Sequence, residues 1–149
     1  MKFKVLYTEG IENRKLEYLA DEYSFNSFPY ETNIDFDLMV NKLYLTVVGN
    51  KIIQITGFSP YGAWVKAGYS PPKYKMGELK VIDNLEPGFS YQVNKVDWPI
   101  HVNVKNGWIC IGDCRGNGEV VEFINDCVAV VENGELIALW LKPESLPVL

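Results

Sequence analysis

Apolar and polar residues alternate along most of this chain with the period of a β-strand. Residues 2–8 begin the pattern, with Phe3 and Val5 sharing a face. Ile34, Phe36, Leu38 and Val40 then interleave with Asp35, Asp37, Met39 and Asn41, as in a strand with one face buried. Residues 43–48 and 51–56 flank Gly49-Asn50, which predicts a hairpin. Two registers compete there. A two-residue turn sets Val47 against Ile52 and Leu45 against Gln54, whereas a three-residue loop with a bulge aligns Leu43, Leu45 and Val47 with Ile53 and Ile55. The second packs more apolar surface together.

Further along, short strands are expected near 79–82 and 89–93, and a second hairpin turns at Asn106-Gly107. Pairing Lys105 with Trp108 gathers Val102, Val104, Ile109 and Ile111 on a core face. His101, Asn103, Lys105, Trp108 and Cys110 fall on the other. Residues 119–141 read as a meander turning at Asn125-Asp126 and Asn133-Gly134. Direct pairing puts Val121, Phe123, Val128, Val130, Ile137, Leu139 and Leu141 on one face. The opposite face, with Val120, Ile124, Cys127, Ala129, Val131 and Trp140, is also apolar, so both need a cover, from a helix or a second sheet.

The alternation breaks in two places. Over residues 12–23, Leu16, Leu19, Ala20 and Tyr23 recur at helical spacing, with Asn13 as N-cap, and residues 24–33 then read as a loop. Residues 57–77 are punctuated by Gly and Pro and carry Phe58, Tyr61, Trp64, Tyr69 and Tyr74. The expected fold is mainly β with an α+β element: a strongly curved antiparallel sheet, partly open barrel or sandwich, with one short N-terminal helix. It forms a single domain over 1–149, ending in an extended tail.

Composition narrows the function classes. With 149 residues, 48% hydrophobic and 22% charged, the chain has a core and no disordered character. No apolar run reaches the roughly 20 residues of a membrane helix, and no signal peptide is read at the N-terminus. Cys110, Cys114 and Cys127 are an odd, sparse set, which points to reduced thiols in a cytoplasmic setting. The net charge of −5 disfavours nucleic acid as a partner. Eight acids crowd residues 9–37, whereas six lysines face one acid over 42–80, a separation suited to steering a charged, basic protein partner.

Candidate chemistry is sparse. Cys110, Cys114, Cys127 and His101 are a conceivable metal set, but their spacing has no paired motif, and neither metal nor cofactor is expected. His101 is the only histidine, and a Cys110–His101 nucleophile pair is conceivable on one sheet face. The direct register sets Asn103, not His101, opposite Cys110. Asp35 and Asp37 share a face that reads as the solvated side of a strand. The Gly-rich loop 112–118 lacks phosphate-loop and calcium-loop spacing, and Arg115 at its tip is a contact for an anion or a partner. The aromatic run is the strongest binding candidate, because Tyr and Trp supply large, rigid contact area. The alternative is that these rings cap an open barrel end.

Trp108-Ile109-Cys110-Ile111-Gly112-Asp113 followed by Gly116-Asn117-Gly118 resembles, over about a dozen residues, the tryptophan-then-glycine-rich stretch of a family of bacterial immunity proteins. That family implies a helical N-terminal half, which this pattern lacks, so no residue role is carried across. The expected function is a non-enzymatic protein-binding domain of immunity or inhibitor type. A small-molecule-binding β-barrel and an enzyme using His101 with Cys110 are the alternatives.

Overall fold

The computed structural model describes residues 1–149. Its strands are β1 (Phe3–Tyr7), β2 (Lys15–Leu19), β3 (Ser24–Phe28), β4 (Phe36–Val40), β5 (Leu43–Val48), β6 (Lys51–Phe58) and β7 (Val65–Lys66). They continue with β8 (Lys75–Val81), β9 (Ser90–Gln92), β10 (Ile100–Val102), β11 (Ile109–Gly112), β12 (Glu119–Ile124), β13 (Cys127–Glu132) and β14 (Glu135–Leu141). All belong to one strongly curled open sheet, a half-barrel, ordered β7-β10-β11-β14-β13-β12-β8-β6-β5-β4-β9, with β1, β2 and β3 as branches. β8 is the junction: it pairs along its length with β1, begins parallel to β12, and meets β6 through Lys80 and Lys51. No helix is long and apolar enough to cross a membrane.

The inside of the curl holds a contiguous cluster of 28 buried apolar residues, among them Leu38, Leu45, Ile55, Leu79, Ile111 and Leu139. Burial on this scale is the main favourable term for the fold.

The helix expected over 12–23 is not formed. Residues 15–19 are extended, Ala20–Glu22 make one 3-10 turn, and Tyr23 adopts left-handed backbone before β3 begins. The supposed loop 24–33 therefore opens with a strand. Leu16 and Tyr18 satisfy a period of two as well as a helical stripe, and both are buried with Glu17 between them. A lone helix of this length is marginal in water, whereas β2 gains five paired positions on β3.

In the first hairpin both proposed registers are present in sequence. Gly49 and Asn50 have positive φ, the geometry of a two-residue turn, and Val47 pairs with Ile52. A bulge then inserts Ile53, so Thr46 meets Gln54 and Leu45 meets Ile55.

The second hairpin is two residues off its expected register. Asn103 Oδ1 accepts from the backbone N–H groups of Lys105 and Asn106, and the Gly107 N–H donates to the Asn103 carbonyl. The turn is wider than Asn106-Gly107 alone. A shift of two preserves the faces, so Val102, Ile109 and Ile111 still point inward, but it moves His101 directly opposite Cys110. Val104 lies in the turn and is exposed.

In the meander both turns fall where expected, but bulges between Glu122 and Ile124 and between Val130 and Val131 re-sort the faces. Val121, Phe123, Ala129, Val131, Leu139 and Leu141 face the core, while Val128 and Val130 face outward with Val120, Ala138 and Trp140. That outer face is covered as its composition demands, by Trp108 and by Tyr69 from the 67–74 segment rather than by a helix or a second sheet.

Candidate functional site

The aromatic run divides into three environments. Trp64 is buried: its Nε1–H donates to Ser59 Oγ at 3.1 Å, and its ring meets Tyr18 edge-on at 4.8 Å and stacks over Phe25 at 6.0 Å. It belongs to the core. Tyr69 and Tyr74 lie over the outer face of the meander. The Tyr69 carbonyl accepts from Asn103 Nδ2 at 2.9 Å, and Tyr74 packs against Trp108 at 6.1 Å. Burial, reinforced by Glu122 and Asp126, pushes the Tyr74 phenol pKa up. Arg115 spreads its guanidinium over Tyr69 at 5.8 Å, so it belongs to this group. Phe58 sits elsewhere, on the surface, next to Tyr61, which is half-buried against the core beside Tyr18 and Trp64.

There they meet a residue that sequence reasoning assigned to a helical stripe. Tyr61 stacks on Tyr23 at 5.6 Å, and Tyr23 contacts Phe58 edge-on at 6.4 Å. Tyr23 is 44% exposed and Phe58 42%. Lys42 Nζ stands 5.8 Å above the Phe58 ring. Tyr23 is held at φ 53° and ψ 36°, a region that bulky side chains rarely occupy. The Tyr23 N–H donates to the Ala20 carbonyl, and its own carbonyl accepts from the Ser59 N–H at 2.7 Å, which pins the ring in place. Asp21 and Glu22, immediately before it, are exposed and form no ion pair. Beside Phe58 opens a cleft of about 280 Å³ lined by Lys42, Pro60, Asp97, Trp98 and Pro99.

A second cluster forms where the register shift brings His101 to β11. Cys114 Sγ lies 3.3 Å from His101 Nδ1. Tyr69 holds the imidazole edge-on at 5.3 Å. Cys114 packs against the cluster that holds Cys110, and the neighbouring Cys110 thiol lowers the Cys114 pKa despite burial and the nearby Asp113. Cys114, together with burial, pushes the Cys110 pKa up. The sulfur beside His101 is thus Cys114, not the Cys110 of the sequence expectation. Cys127 lies in the main core, where complete burial raises its pKa, so the conceivable four-ligand set does not assemble. No group of three His, Cys, Asp or Glu residues is arranged to hold a metal ion.

The carboxylate pair has a structural use. Asp35 Oδ2 accepts from the Gly49 N–H at 2.8 Å, and Asp37 Oδ1 from Thr46 Oγ1 at 2.7 Å. Comparison with family models, curated proteins and solved structures returns no match for the chain.

Proposed function

We propose that this protein is a binding module that docks a basic protein segment on the face built from Tyr23, Phe58 and Tyr61. The carrying observation is a partly exposed aromatic ladder whose central ring sits on strained backbone. Left-handed backbone at a tyrosine costs about 1–3 kcal/mol, a cost that clusters at functional positions. Rings of this kind anchor interfaces because they present large area with few rotamers to freeze. The unpaired Asp21 and Glu22 at the Tyr23 end outnumber Lys42 at the Phe58 end, which favours a basic segment lying toward Tyr23. An arginine of the partner would stack on a tyrosine ring, worth about 0.5–1 kcal/mol at an exposed site, while these carboxylates attract it from a distance.

The mechanism is occlusion, as for an inhibitor or immunity-type protein: acidic groups steer the partner in and the rings hold it. The adjoining cleft of about 280 Å³ has room for one anchoring side chain of the partner. The interior of the half-barrel is filled by side chains, which weighs against a ligand inside it. An odd, sparse cysteine set supports a cytoplasmic setting, and the net charge of −5 supports a protein rather than a nucleic-acid partner.

The test is capture from the native source by the full-length protein, followed by reconstitution with the purified candidate. A Tyr23→Asn/Phe58→Ser double variant is the comparison, since Asn tolerates left-handed backbone. The expected result is a basic partner whose affinity falls about tenfold or more in the variant. Equal binding by the variant would remove the docking face from the proposal.

A further inference from the structure

We propose that Cys114, Cys110 and His101 form a peroxide-reactive dithiol site, with Cys114 as the attacking sulfur and Cys110 as the resolving one. This site is separate from the aromatic docking face and stands or falls independently of it.

The placement of the three groups carries the inference. Cys110 lies in the fully buried strand β11, 1% exposed and directly opposite His101. Gly112 then turns the chain at φ 111°, where a Cβ would overlap the Ile137 carbonyl, so only glycine fits. The turn returns Cys114 to the same outer cluster that contains Cys110, but half-buried and within reach of solvent. One sulfur is thus half-exposed and beside an imidazole, and the other is shielded within the cluster against which the first packs. That division of labour suits a two-thiol site. The charged and titratable groups around the pair are Asp113 on the same loop, Arg115 over Tyr69, and Tyr69 itself against His101.

The surroundings limit the chemistry. The Gly112, Asp113, Arg115, Gly116 and Gly118 N–H groups are engaged in hydrogen bonds, which leaves only those of Cys114 and Asn117 free in the loop. The larger surface clefts are lined by other residues. A reactant here is small and needs no binding pocket, which points to hydrogen peroxide. The Cys114 thiolate attacks one peroxide oxygen. An S–O bond forms as the O–O bond breaks, and the departing hydroxide takes a proton from solvent and leaves as water. Cys114 is oxidised to the sulfenic acid, and one peroxide is reduced to water. Cys110 sulfur then attacks Cys114 sulfur, the S–S bond replaces the S–O bond, and the leaving hydroxide takes the Cys110 proton as water. A small dithiol reverses the change by exchange.

The experiment is peroxide titration of the full-length protein, followed by thiol blocking and peptide mapping. The expected product is a Cys110–Cys114 disulfide with Cys127 still reduced, formed at least about tenfold faster than peroxide consumes glutathione at the same pH. Cys110→Ala traps the Cys114 sulfenic acid for dimedone labelling, and Cys114→Ser abolishes both products. His101 is a positioning residue. His101→Gln slows oxidation and moves the pH profile of Cys114 alkylation toward that of a free thiol, with the far-UV spectrum unchanged. Oxidation no faster than glutathione, or a Cys114 product never joined to Cys110, overturns the proposal. Both outcomes are read on the wild-type chain, so a variant that fails to fold does not blunt the test.

Discussion

Ser59 shows how single residues join the candidate docking face to the core. Its carbonyl accepts from the Tyr18 hydroxyl at 2.6 Å, its N–H donates to Tyr23, and its Oγ accepts from Trp64. Tyr18→Phe removes one of these bonds and leaves the carbonyl unpaired, so we expect a loss of about 0.5–1.5 kcal/mol in denaturant unfolding. Burial raises the Tyr18 pKa from 10.0 to about 12. Because the folded value lies above the unfolded one, the neutral phenol favours the folded state. This contribution is complete below pH 10 and disappears as pH rises toward about 12. Tyr18→Phe is therefore expected to flatten the fall in melting temperature over that interval. At this scale the sequence was only partly readable. The chemistry of His101 and the cysteines was visible as residue types, but which sulfur meets the imidazole depends on the fold of the Gly112–Asp113 turn. Tyr23 carried no local mark, since an aromatic after two acids fits a helix as well as a strained turn.

Strand existence is the part of the fold that alternation states most directly, and β1, β4, β5, β6 and the meander lie where the pattern puts them. Strand pairing is less readable, because a bulge is a one-residue event that leaves alternation on either side intact. The bulges in β6, β12 and between β13 and β14 each reset which residues face inward, and only the completed core selects them. The missed β2–β3 pair has the same origin: Leu16 and Tyr18 fit two periods, and a partner arriving from beyond Tyr23 decides between them. Close approach between strands is likewise silent in the pattern until glycine marks it. A Cβ at Gly77 would overlap the Leu6 carbonyl of the paired β1. Gly77→Ala forces that backbone apart, and we expect about 1–3 kcal/mol of destabilisation. Hydrogen exchange should show the loss concentrated in β1 and β8, whereas Gly10→Ala, where a Cβ meets nothing, leaves protection unchanged.

For the whole molecule, ion pairs neutralise part of the charge that is separated along the chain. Glu12 from the acidic segment meets Lys51 from the basic one at 2.9 Å, Glu78 lies within ion-pair range of Lys51 and Lys80, and Lys15 pairs with Glu144 at 2.8 Å. Exposed pairs of this kind are worth little to stability, about 0–1 kcal/mol, but they cancel the local field. Asp21 and Glu22 escape this cancellation and stand next to Tyr23. Their effect on a basic partner is long-range, so it belongs to the encounter rather than to the final contact. Asp21→Asn/Glu22→Gln should therefore lower the association rate at low salt about tenfold while changing the dissociation rate much less. The difference from wild type should shrink as salt shortens the screening length to about 8 Å at physiological ionic strength. The melting temperature should stay unchanged, because neither carboxylate holds a partner within the fold. Stopped-flow mixing across a salt series measures this directly. A rate deficit that does not diminish with salt would place the two acids in the bound contact instead, and the docking face would then extend over the Ala20–Glu22 turn.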